Sequence, residues 1–157
     1  MHIRHVTPGE ETALLAIFQS SVRGQACRDY TPEQIDAWAP RALTPAERQA
    51  WIARVASNHP WVVEVNGQLA AFADLQPSGY IDQFFVATEC TGNGVGRALM
   101  QHLHEVAASR GIMRLHAHVS LTAQPFFARC GFTIEEEQLP VVRGVALRNA
   151  VMSKQLP

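Results

Sequence analysis

A chain of 157 residues with 47% hydrophobic and 17% charged residues is expected to bury one core as a single domain over 1–157, which excludes a disordered or fibrous chain. Its formal net charge of −1 leaves no basic stripe for a nucleic acid. No apolar run is long enough for a membrane span, and the N-terminus does not read as a secretion signal. Cys27, Cys90 and Cys130 are odd in number and contain no Cys-x-x-Cys pair, which points to reduced thiols in a cytoplasmic protein.

In chain order, His2 to Val6 alternates as a short strand. Thr7-Pro8-Gly9-Glu10 is a helix-start signal, with Leu14, Leu15, Ile17, Phe18 and Val22 inward and Gly24 as the stop. Thr31-Pro32 opens a second helix within Tyr30 to Pro40, and Thr44-Pro45 a third through Ala56. Trp61 to Val65 and Gln68 to Gln76 flank Asn66-Gly67, a strong hairpin signal. Tyr80 to Val86 reads as one further strand. A helix reaching Arg110 follows, with Val95, Leu99, Leu103 and Val106 on one side and Gly111 as its cap. Then come a strand over Met113 to Val119, a helix over Thr122 to Cys130, a strand ending near Glu137 and a last strand over Val141 to Met152.

The chemistry concentrates between that buried strand and the long helix. Gly92-Asn93-Gly94-Val95-Gly96-Arg97 places glycine at alternate positions just before a helix. Bare amides and the positive end of a helix dipole make a cradle for a phosphate or pyrophosphate. There is no Gly-Lys-Ser/Thr ending for a Walker A loop. Arg97 stands where a dinucleotide fingerprint needs its third glycine.

The pattern after a hydrophobic strand resembles motif A of the GNAT superfamily of acyl-CoA N-acyltransferases. Ser120-Leu121-Thr122-Ala123-Gln124-Pro125-Phe126-Phe127 resembles that superfamily's Asn-x-x-Ala-x-x-Phe-Tyr. Tyr30-Thr31-Pro32-Glu33-Gln34, Ile81-Asp82-Gln83, Thr122 to Phe127 and Arg143 to Leu147 are similar to segments of the YafP-like group of small bacterial N-acetyltransferases. The resemblance covers the whole chain. It implies an α/β (α+β) GNAT fold: a mixed, mostly antiparallel sheet splayed at the cofactor strand, with helices on both faces. It implies acetyl-CoA as cosubstrate and direct attack by a primary amine of a small molecule or peptide in a ternary complex. Many relatives are dimers, which makes a homodimer the corresponding expectation.

Carried over residue by residue, the resemblance lays pantetheine along Phe84, Phe85 and Val86 and the pyrophosphate on Gly92, Asn93, Gly94, Val95, Gly96 and Arg97. Thr91 stands where the family has Gln or Arg, and Ser120 where it has Asn. Phe127 replaces the Tyr that usually protonates the departing thiolate. Phe has no proton to give, so the rival expectation is a CoA-binding module without catalysis. A thiol is nonetheless a tolerable leaving group near neutrality, its pKa being about 8.5.

A base is needed for the amine. Alternation puts Asp82 on the face of Phe84 and Val86, and puts His116, His118 and Ser120 together on the next strand. Asp82 and His118 are the candidates, free imidazole titrating near neutrality. Cys130 is a possible substitute acid, with a packed inert thiol as the plainer reading. Tyr30, Trp38 and His116 are the expected lining of the acceptor pocket. His102 and His104 lie on different helix faces, so no metal site is expected.

Overall fold

The computed structural model describes every residue, Met1 to Pro157. Ten strands and five helices form two four-stranded sheets and a small hairpin. The first sheet has the order β1 (His2–His5), β2 (Trp61–Val65), β3 (Gln68–Ala73), β5 (Phe84–Val86). The second has the order β4 (Tyr80–Ile81), β6 (Arg114–Ser120), β10 (Asn149–Gln155), β7 (Thr133–Gln138). β4 with β6 is the one parallel pair. Helices α1 (Glu11–Gln25), α2 (Pro32–Trp38) and α3 (Pro45–Asn58) cover one face through Leu14, Phe18, Ile35 and Val55, packed on Val62 and Phe72. Helix α4 (Val95–Ser109) covers the other through Val95, Leu99, Met100 and Leu103, packed on Val63, Ala71 and Leu115. The short α5 (Gln124–Arg129) follows β6.

Local chemistry explains most of these bounds. Thr31 with Gln34 and Thr44 with Glu47 each form a complete capping box, with Pro at the first helical position. α3 runs to Asn58, two residues beyond the expected end, and His59 closes it in the left-handed region.

Four expectations need correction. Thr7 does not cap α1: its N–H and hydroxyl both donate to the Glu10 carboxylate, closing a turn before the helix starts. Gly24 does not end α1 but lies within it. A Cβ there would sit 2.3 Å from Thr88 Oγ1, so glycine admits the close approach of the loop after β5. Thr88 then donates through its N–H to Ser20 Oγ and through its hydroxyl to Ser20 O. The final stretch is not one strand: β8 (Val141–Val142) and β9 (Val145–Ala146) form a hairpin around Arg143 and Gly144, both at positive φ, ahead of β10.

The fourth correction matters most. Tyr80 to Val86 is not one strand. β4 joins the second sheet and β5 the first, and Asp82-Gln83 bridges them. The buried carboxylate of Asp74 holds this break. It accepts the N–H of Gln83 at 2.7 Å, the N–H of Asp82 at 3.2 Å and Gln76 Nε2 at 2.7 Å. β3 therefore ends at Ala73, three residues before the expected Gln76. The sheets part at β5, which leaves one edge of that strand unpaired.

Candidate functional site

Two clefts open where the sheets part. The larger, about 960 Å³, is lined by Phe84, Phe85 and Val86, by Thr91, Gly92, Gly94, Val95, Gly96 and Arg97, and by Ser120 and Phe127. Asn93 does not line it. The smaller, about 380 Å³, lies between α1, α2, α3 and the β8–β9 hairpin and contains Tyr30 and Trp38. Trp38, Asp82, Phe85, His118 and Ser120 belong to both walls, so the two clefts meet there. His116 lines neither. It shares the face of His118 as expected, but it lies level with Tyr80 of the paired strand β4, whose ring is 5.3 Å away.

The open edge of β5 faces the larger cleft. Asp74 N–H donates to Gln83 O, and Ala87 N–H donates to Ala70 O. Antiparallel alternation then turns the N–H and C=O of Phe84 and Val86 away from β3 and into the cleft. Gln25 Nε2 donates to Val86 O at 3.2 Å, leaving the Val86 N–H free. At the cleft's far end, none of the N–H groups from Gly92 to Arg97 has a protein acceptor. Gly92 (φ 79) and Gly94 (φ 78) take left-handed conformations that glycine adopts without strain. Gly96 packs against Phe126 and Val86, where an added Cβ would lie 3.4 Å from each. Arg28, Arg97 and Arg129 line this cleft without an ion pair. Unpaired amides, a helix N-terminus and guanidinium groups without a carboxylate partner together suit a polyanionic ligand.

At the junction, Asp82 and His118 differ in their freedom. Arg54 grips Asp82 with two nitrogens, Nε at 2.9 Å, and Asn58 Nδ2 adds a third bond at 2.8 Å. Burial works to raise the Asp82 pKa, but the bonds from Arg54 and Asn58 outweigh it and hold the carboxyl below its ordinary value. Asp82 is an ionised, occupied carboxylate. His118 is exposed and its ring nitrogens have no partner in the protein. Phe127 is buried against Phe84, Phe126 and Phe132 and offers no donor. Burial pushes the Cys130 thiol up, so it is protonated near neutral pH, and it lines the same cleft. Tyr30 is a strut more than a free hydroxyl. It donates to Arg148 O and accepts the Leu121 N–H at 2.9 Å, tying the segment before α2 to the residues that follow β6 and precede β10.

Known proteins share this fold. The family model for the acetyltransferase (GNAT) domain matches residues 26–153. The uncharacterized N-acetyltransferase YafP of Escherichia coli is 34% identical over 97% of this chain and 94% of its own. The chain belongs to the GNAT acetyltransferase family. Among solved structures, a GCN5-related N-acetyltransferase from Rhodopseudomonas palustris superposes with a TM-score of 0.91 at 28% identity, covering 99% of this chain and 95% of that one. The yncA protein of Salmonella typhimurium, solved with acetyl-CoA, shares the fold at a TM-score of 0.69 and 21% identity, over all of this chain and 94% of that one. The GNAT family member's mixed sheet, splayed at β5 and covered by helices on both faces, is the fold class expected from sequence.

Sequence reasoning missed Asp74 and Gln25. Asp74 gave one signal: an acid at the end of the apolar run Leu69 to Ala73. Gln25 gave none, because its contact with Val86 spans 61 residues.

Proposed function

We propose that this protein is an acetyl-CoA-dependent N-acetyltransferase acting on a primary amine by direct attack in a ternary complex. The observation that supports it most is the junction: an open strand edge, ending in an unpartnered amide run, meets a second cleft at Asp82, His118 and Ser120. Pantetheine lies along Phe84 and Val86 as an added strand, and its pyrophosphate rests on the amides of Gly92 to Arg97. The amine enters through the smaller cleft. His118 removes its proton, directly or through a water, and Asp82 keeps Arg54 in place. As nitrogen bonds to the acetyl carbon, the carbonyl oxygen gains charge and the Val86 N–H stabilises it. The carbon–sulfur bond then breaks, and CoA leaves with a proton from solvent or from the Cys130 thiol. A small-molecule or peptide acceptor, the cytoplasm and a homodimer complete the reading.

Phe127 favours a second reading, a CoA-binding module without turnover. The test is initial-rate kinetics of thiol release over an amine panel, with the acetylated product identified by mass. Transfer requiring both substrates at once, with intersecting double-reciprocal lines, supports the proposal. Acetyl-CoA binding without release on any amine refutes it in favour of the binding module. Release without acetylated amine refutes it as well.

A further inference from the structure

The smaller cleft is specific about charge. Its volume of about 380 Å³ suits a small molecule, and Trp38 and Trp51 give it apolar walls. It contains two carboxylates, and both are occupied. Asp82 is paired with Arg54, and Glu47 takes two bonds from Arg143, at 2.8 and 3.1 Å. A second cationic group on an acceptor would therefore meet no free acid there. Arg148, at the mouth, has the opposite character. It lines the cleft, and its guanidinium has neither an ion pair nor a hydrogen bond. Beside it, Asn149 lines the same cleft with a buried Oδ1 that no donor reaches. That oxygen is closed to solvent, whereas Nδ2 of the same amide is open and has no acceptor in the protein.

The fold fixes the backbone of both residues. Tyr30 holds the Arg148 carbonyl, and Asn149 opens β10 between Ser120 and Gln138. An uncompensated cation and an unpaired amide N–H donor on consecutive residues match a ligand that carries an anion. We infer that the acceptor is a small apolar amino acid, its carboxylate held by Arg148 and the Asn149 amide N–H. This rests on the acetyl-transfer reading above. The transferred acetyl group replaces one amine hydrogen, the proton passes to His118, and the carboxylate is unchanged. Polyamines and lysine-rich tails are disfavoured, because their extra cations face Arg54, Arg143 and Arg148.

The test compares kcat/KM for matched acceptors with saturating acetyl-CoA: phenylalanine, phenylalaninamide and phenethylamine; leucine, leucinamide and isoamylamine; and spermidine with a lysine peptide. The amino acids are expected to lead their neutral-ended partners by about tenfold, the scale of one charge-assisted contact. Arg148→Ala should collapse that preference to near unity. Asn149→Leu should raise KM for the amino acid while leaving the melting temperature equal or higher, which a purely structural residue would not do. Preference for spermidine, the lysine peptide or the neutral-ended amines overturns the inference alone, as does a preference that survives Arg148→Ala. No transfer to any acceptor, with acetyl-CoA bound, overturns the inference and the acetyl-transfer reading together.

Discussion

Replacing Asp74 with alanine removes the carboxylate that holds the break between β4 and β5. Asp74 is 1% exposed, and the Gln83 residue whose N–H it accepts is 6% exposed, so water cannot readily take its place. Leaving that amide unpaired costs about 1–3 kcal/mol, and the half-buried Asp82 amide adds a smaller loss. One effect runs the other way: burial pushes the Asp74 pKa up, so the charged form is itself penalised, and alanine relieves that. The net expectation is a loss of about 2 kcal/mol, a fall of ~4–8 °C in melting temperature for a chain of this length. Acetyl-CoA affinity should fall too, because the open edge of β5 starts at the residue after Gln83. Asp74→Asn keeps one oxygen for Gln83 and should recover part of both losses. Scanning calorimetry and acetyl-CoA titration on the two variants check this. A fall below about 2 °C for Asp74→Ala, under 1 kcal/mol on the same scale, with unchanged acetyl-CoA affinity, would refute the role given to Asp74.

If His118 is the base, His118→Ala removes the acid limb of the kcat/KM–pH profile while Asp82→Asn leaves that limb and lowers the rate through Arg54; a limb lost only in Asp82→Asn would reverse the assignment. Acid stability tests the N-terminal turn. Hydrogen bonds from Arg4, helped by those from Thr7, lower the Glu10 pKa from 4.5 to about 2 against its burial. A depressed carboxylate stabilises above its unfolded pKa and loses that contribution as pH falls through the folded one. The advantage of wild type over Glu10→Gln in melting temperature should therefore shrink between pH 4.5 and 2. An advantage constant across that window would contradict the pairing.

What the sequence made legible was local chemistry. The helix starts at Thr31 and Thr44, the Asn66-Gly67 hairpin and the glycine run before α4 each act within a few residues, and all are where they were expected. What it hid depends on contacts across the fold. Tyr80 to Val86 has the alternation of one strand, and only the Asp74 bonds divide it between two sheets. Gly24 reads as a helix stop because nothing nearby announces the approach of Thr88. His116 and His118 were placed on one face by alternation, but that rule could not show that β4 reaches along His116 and stops short of His118. The candidate site was legible to the same degree: the amide run and the strand beside it, but not the pairing of Asp82 with Arg54 that separates the two candidate bases.

Calorimetric titration with acetyl-CoA of wild type, Gly94→Asp and Gly67→Asp tests the central claim most directly. Gly94 (φ 78) and Gly67 (φ 77) share a backbone conformation, and a Cβ at either meets nothing within 4 Å, so the two substitutions strain the fold alike. Only Gly94 lies in the amide run, where a carboxylate opposes the pyrophosphate. The account predicts tight binding by wild type and Gly67→Asp, and loss of binding by Gly94→Asp. Equal binding by all three proteins, or none by wild type, would contradict it.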